Sequence, residues 1–87
     1  MFTKFQLRKA FSMQVVNARL RLNLSQFQVA EKMSVSVRWV QRIESGAKLP
    51  GFYLAMRLIA FLQIDMQELL AAISNNPEQQ SEAGSAG

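Results

Sequence analysis

The 87-residue sequence contains no cysteine and no histidine. Without cysteine there is no disulfide and no thiolate chemistry, which fits a reducing compartment such as the cytoplasm. Without either residue type, the usual nitrogen and sulfur metal sites and imidazole acid–base catalysis are excluded. Acidic residues number only six, and no nucleophile stands beside a base. The sequence therefore predicts a protein that is not an enzyme and that binds no metal or cofactor.

Long apolar runs are also missing. No stretch approaches the roughly 20 apolar residues that span a bilayer. The first eleven residues, MFTKFQLRKAF, lack the continuous apolar segment and small-residue cleavage site of a signal peptide. The length suits one small domain. We expect a single cytoplasmic domain.

Acidic residues are scarce in the first half of the chain. Residues 1–48 hold nine Lys and Arg against two Glu, a net charge of +7, whereas the chain after Arg57 holds four acids and no base. This segregation predicts that one end of the molecule attracts phosphate and the other does not. The same counts, taken alone, also fit a peptide that lies on a membrane surface.

Residues 24–46, LSQFQVAEKMSVSVRWVQRIESG, read as two short helices joined by a tight turn. Ser25 can cap the first helix while Gln28 reaches back to the Ser25 backbone, which is a capping box. Ser36 can cap the second helix, and residues 33–36 leave room only for a turn. The stretch is therefore predicted to fold as helix, turn, helix.

Twelve residues of this stretch follow one register of a known pattern: Leu24, Ser25, Gln26, Val29, Ala30, Met33, Val35, Ser36, Val40, Ile43, Glu44 and Gly46. The stretch resembles the helix-turn-helix of the lambda-repressor-like (Cro/C1, Xre-type) DNA-binding family, and the likeness extends from about residue 11 to residue 73. One departure is Ser34, where the family often has a glycine with positive φ. Either the serine adopts the strained left-handed conformation, or the turn differs slightly.

The remaining chain predicts three more helices. Apolar residues at three- and four-residue spacing mark a first helix over residues 10–21, a fourth over residues 52–62 and a fifth from an Asp65 cap to about residue 73. Residues 1–9 form a basic lead that either extends the first helix or lies as an arm. Residues 75–87 form a polar tail that we expect to be disordered. The predicted fold is all-α, a compact bundle of about five short helices over residues 10–74.

The third helix carries the candidate base-reading residues. With Val40 and Ile43 facing inward, four side chains share the outward surface: Val37, Arg38, Gln41 and Arg42. In a major groove, an arginine can bind guanine O6 and N7, Gln41 can pair with adenine or reach phosphate, and Val37 can meet a thymine methyl group. The alternative is a solvated basic helix face.

Other residues are candidates for the DNA backbone. Gln26 lies in the first turn of the second helix, where free N–H groups and the helix dipole suit a phosphate, and the resemblance implies the same role. Further candidates lie on the third helix or beside it: Ser36, Trp39, Ser45 and Lys48. Trp39 can instead cover the edge of the core or a partner surface. Lys48 can equally be a solvated loop lysine.

The resemblance also implies a structural ion pair between Arg19 and Glu44, and Glu44 is the last residue of the third helix. The alternative is that Arg19 binds phosphate. If the pair is buried, removing one partner leaves an isolated charge, at a cost of about 3–5 kcal/mol.

Apolar residues near the C-terminal helices exceed what two short helices can bury. A possible dimer interface comprises Phe61, Met66, Leu70 and Ile73, although these residues can also simply fill the core. A homodimer with two recognition helices one DNA turn apart would read an inverted repeat. The sequence thus predicts a small regulator, a repressor or controller, that binds double-stranded DNA. The alternative is a protein-interaction module on the same fold, such as an antitoxin or adaptor.

Overall fold

The computed structural model describes residues 2–74. This part of the chain forms five α-helices and no strand: α1 Lys4–Arg21, α2 Gln26–Met33, α3 Val37–Glu44, α4 Phe52–Leu62 and α5 Met66–Ser74. The all-α prediction is confirmed. Among the described residues, no helix combines the length and the apolar character needed to cross a membrane. The tail predicted over residues 75–87 lies outside the described residues.

Helix α1 begins at Lys4, well before the predicted start near Ala10. Thr3 caps it, because the Gln6 backbone N–H donates to Thr3 Oγ1 at 3.1 Å and the Thr3 N–H donates to Gln6 Oε1 at 2.8 Å. This reciprocal box satisfies two backbone donors that a helix start leaves free. Residues 4–9 therefore extend the helix and do not form a separate arm.

The turn between α2 and α3 places a serine in the left-handed region. Both helices begin at a serine cap, Ser25 for α2 and Ser36 for α3. Ser34 ends α2 with φ 59° and ψ 42°, in the left-handed region. Of the two alternatives for this position, the strained serine is therefore the observed one. Gly46, after α3, also has a positive φ of 81°, which suits a residue without Cβ.

The core lies where α1 crosses α3, α4 and α5, while α2 packs on α3. Buried apolar side chains from all five helices and from the α4–α5 connection form one cluster: Phe11, Val15, Ala18, Val29, Ala30, Met33, Val40, Ile43, Leu58, Leu62, Ile64, Leu69 and Ile73. Because α3 buries only one side in this cluster, its opposite side is left for solvent or a ligand.

Two of the four residues of the possible dimer interface lie in the core or against it. Ile73 is only 5% exposed and belongs to the core, and Phe61 is half-buried and packs against the core. Both are turned inward by the packing of α4 and α5 against α1, which periodicity within a single helix does not reveal. Met66 and Leu70 remain exposed, at 44% and 56%.

Candidate nucleic-acid interface

Helix α3 presents a polar, basic surface to solvent. Arg38, Gln41 and Arg42 are exposed on it, whereas Val40 and Ile43 on the opposite side are each 1% exposed. The segment is eight residues long, so at 1.5 Å per residue it is about 12 Å long. The outward face is therefore narrow and dominated by two guanidinium groups.

Val37 lies at the edge of this surface. It is half-buried and packs against the core cluster. The expectation that it shares the outward face is only partly met, because its position in the first turn of α3 turns part of the side chain toward the protein.

The two arginines of α3 keep their full charge available. Within residues 2–74 the one ion pair joins Arg19 to Glu44, so neither Arg38 nor Arg42 faces an acidic partner there. A guanidinium without a carboxylate can use all of its donors on an external ligand.

The predicted ion pair between Arg19 and Glu44 is confirmed. Arg19 Nε donates to Glu44 Oε2 at 2.6 Å and Arg19 Nη2 donates to Glu44 Oε1 at 2.9 Å, a bidentate arrangement. Arg19 Nη1 also donates to the Leu24 carbonyl oxygen at 2.9 Å. Since the side chains are only 13% and 6% exposed, both charges are largely removed from solvent. Arg19 therefore binds groups within the protein, and its role is structural.

Gln26 takes part in the same network. Its Nε2 donates to Glu44 Oε1 at 2.9 Å, and its Oε1 accepts from Gln41 Nε2 at 3.5 Å. The first residue of α2 is thereby joined both to the end of α3 and to the outward face of α3. Sequence reasoning missed these contacts, and no local pattern signals them, because they join residues 18 and 15 positions apart.

Ser36 and Trp39 lie at the start of α3. The exposed Ser36 hydroxyl accepts from the Trp39 backbone N–H at 3.0 Å, and its proton stays available for donation. The Trp39 ring is half-buried and packs against the core cluster. Of the alternatives for Trp39, the core-edge position is the one observed.

Ser45 and Lys48 lie just beyond α3. The Ser45 hydroxyl donates to the Arg42 carbonyl oxygen at 3.0 Å and accepts from the Ala47 N–H at 3.3 Å. Its proton is thus used within the protein. Lys48 is exposed in the loop that leads to α4. Its ammonium has no acidic partner within residues 2–74.

No group of three or more acidic side chains that could hold a metal ion occurs within residues 2–74. The surface chemistry of this region is that of an anion-binding face, with cations and amides displayed on one short helix and its flanks.

Comparison with known families agrees with this geometry. The family model described as helix-turn-helix matches residues 16–69, more than half of the chain. The match spans α2, the capped turn, α3, α4 and the first four residues of α5. No curated protein and no solved structure matches the chain.

Proposed function

Because the chain belongs to the Cro/C1-type (Xre) helix-turn-helix family of DNA-binding domains, we propose that it is a sequence-specific transcriptional regulator, acting as a repressor or controller. Its ligand is double-stranded DNA, and α3 is the helix that enters the major groove. A DNA ligand implies a location inside the cell, and we propose the cytoplasm.

One observation carries this proposal. Arg38, Gln41 and Arg42 are exposed on one side of α3, and neither arginine faces a carboxylate within residues 2–74. The major groove is about 12 Å wide and admits an α-helix, and base edges are read from the N-terminal part of such a helix. Arg38, in the first turn, is therefore the foremost candidate for a bidentate guanine contact.

The remaining groups on the face divide into base and backbone contacts. Arg42 and Gln41 lie one turn beyond Arg38 and suit guanine and adenine, with Val37 beside them for a thymine methyl group. The backbone candidates near this set are Gln26, Ser36, Trp39 and Lys48, whereas Ser45 uses its hydroxyl proton and its backbone N–H within the protein. Backbone contacts set orientation and affinity but carry little sequence information.

A homodimer fits an apolar surface formed mainly by α4 and α5. Phe52 is 80% exposed and lines an apolar groove of about 350 Å³ together with Met56, Met66 and Leu70. Tyr53, the next residue in the sequence, is 70% exposed. An apolar patch of this kind is uncommon on a small monomer. A two-fold interface covers the same patch on both copies, and it would present two α3 helices to an inverted repeat with half-sites about 34–36 Å apart.

The decisive experiment selects bound sites from a random duplex pool and then titrates the selected site at several salt concentrations. We expect an enriched inverted repeat. We also expect log affinity to fall with log salt at a slope of about −5 if roughly six phosphates are contacted per complex. An unenriched pool with a normal salt slope would leave a non-specific DNA binder and would contradict the regulator.

A second candidate function rests on the same apolar groove. If a partner protein occupies it in place of a second copy, the chain is an interaction module such as an antitoxin or adaptor. Duplex binding that is negligible and insensitive to salt would favour this function, whereas salt-dependent binding of a selected site favours the regulator.

A further inference from the structure

The N-terminal half of α1 meets the chain just beyond the end of α3. A methyl group built on Gly46 would lie 3.6 Å from Lys9 Cδ, 3.8 Å from Ser12 Oγ and 4.0 Å from the Arg8 carbonyl oxygen. The aliphatic part of the Lys9 side chain therefore packs beside Gly46. Because Gly46 follows the final residue of α3 by only two positions and precedes Lys48 by two, Lys9 and Lys48 flank the same loop.

Neither lysine is neutralised by the protein. Both are exposed, and the one ion pair within residues 2–74 is formed elsewhere, by Arg19 and Glu44. The Lys9 ammonium lies 6.0 Å from the centroid of the Phe5 ring, at the outer limit of a cation–π contact. The first acidic residue of the sequence is Glu31. Positive charge is thus concentrated here without compensation, which favours an external anion.

The length of α3 relates this pair of lysines to DNA. If base edges are read from the start of α3, its far end is about 12 Å away, a distance comparable to the groove width of about 12 Å, and is the part of α3 nearest to the bordering strand. Lys9 and Lys48 accompany that far end. The anion within reach is the phosphate backbone, one step outside the base pairs that α3 contacts.

On the basis of the proposed function, we infer that Lys9 and Lys48 both bind the phosphate backbone of the strand at the flank of the site. The contact by Lys9 lengthens the stretch of DNA that the protein covers. The helix-turn-helix match begins at residue 16, so the family assignment gives Lys9 no role. The early start of α1, produced by the Thr3 cap, is what brings Lys9 to this loop.

The test uses Lys9→Gln in the full chain, with the selected duplex titrated at four salt concentrations. The slope of log affinity against log salt should become shallower by about 0.9 for each protomer that loses a contact. The base preference should stay the same. Lys9→Arg should restore the slope, and Lys32→Gln, which removes an exposed lysine from the last turn of α2, should leave it unchanged.

A second measurement shortens the duplex by two or three base pairs at each end. Wild-type affinity should drop several-fold on shortening, and the affinity of Lys9→Gln should drop by a smaller factor, because this variant has already lost one of the two flank contacts. Urea midpoints for all variants verify that they fold alike. If the salt slope of Lys9→Gln equals that of Lys32→Gln, the proposed flank contact is wrong, whereas the proposed regulator function is unaffected. An absence of duplex binding by the wild-type chain overturns both proposals.

Discussion

Gln26 donates its side-chain amide to the same carboxylate oxygen of Glu44 that accepts a hydrogen bond from Arg19, and both distances are 2.9 Å. One oxygen at the end of α3 thereby binds the first residue of α2 and a residue in the last turn of α1. The ion pair thus also orients the amide proposed to bind the DNA backbone. Such supporting contacts determine how accurately a binding group is held.

Glu44→Gln should lower the free energy of unfolding by about 3 kcal/mol, because Arg19 then keeps a buried charge without a counter-charge. Urea denaturation followed by circular dichroism measures this loss. The double variant Arg19→Met, Glu44→Leu removes both charges and should recover part of the stability. If Glu44→Gln were as stable as the wild type, the pair would contribute no more than an exposed one.

Gln26→Ala should weaken binding to the selected site and to random duplex by the same factor, since a phosphate contact carries no base information. Fluorescence anisotropy on both duplexes measures the two factors. Lys32→Ala, a substitution on the same helix but in its last turn, is the matched control and should change neither. A shift in base preference with Gln26→Ala would contradict the backbone role and assign the amide to base reading together with Gln41.

Much of the fold was predictable because its signals are local. Ser25 and Gln28 close their box within four residues, and the same pattern in Thr3 and Gln6 marks the start of α1. That second box lay outside the apolar stripe of the helix, so periodicity alone placed the start too late. A capping pattern is thus a better guide to a helix start than the first apolar residue.

Periodicity predicted the site only where it depends on one helix, and the ion pair between Arg19 and Glu44, which joins α1 to α3, was predicted from the family resemblance alone. The exposed arginines of α3 follow from inward-facing Val40 and Ile43. The contact between Gln26 and Glu44 depends on how α2 docks against α3, and the burial of Ile73 depends on how α5 packs against α1. Those arrangements are tertiary, and neither periodicity nor propensity within a single helix determines them.

Ser34→Gly should raise the free energy of unfolding by about 0.5–1 kcal/mol, because the serine has a φ of 59° and glycine adopts this region without steric cost. Gly46→Ala is a control with the opposite expected effect, a lower free energy of unfolding. The added methyl group would meet its nearest neighbour at 3.6 Å, an ordinary contact, so its destabilisation would report backbone strain at φ 81°. Thermal and urea unfolding measure both changes. A destabilised Ser34→Gly would show that the serine side chain contributes more than its conformation costs.

Arg38→Ala should reduce affinity for the selected site by about 1–3 kcal/mol and affect random duplex far less. The reason is that a bidentate guanine contact exists only at the correct base pair. Competition titrations with single-base-pair variants of the site locate the lost preference. Arg42→Ala, one turn later, should relax a different position. An equal loss of affinity for every duplex would indicate that Arg38 contacts the DNA backbone and not a base.

Leu70→Glu should convert the proposed dimer to a monomer, because Leu70 is 56% exposed beside the apolar groove and an isologous interface would bury two such carboxylates facing the same patch. Sedimentation velocity measures the change in mass. Leu20→Glu is the matched control, since Leu20 is 60% exposed on α1 and does not line the groove. The monomer should also bind the inverted repeat more weakly while retaining affinity for one half-site, because each copy keeps its own α3. A wild-type chain that sediments as a monomer at every concentration, and binds half-sites independently, would contradict the dimer and leave the groove to a different protein.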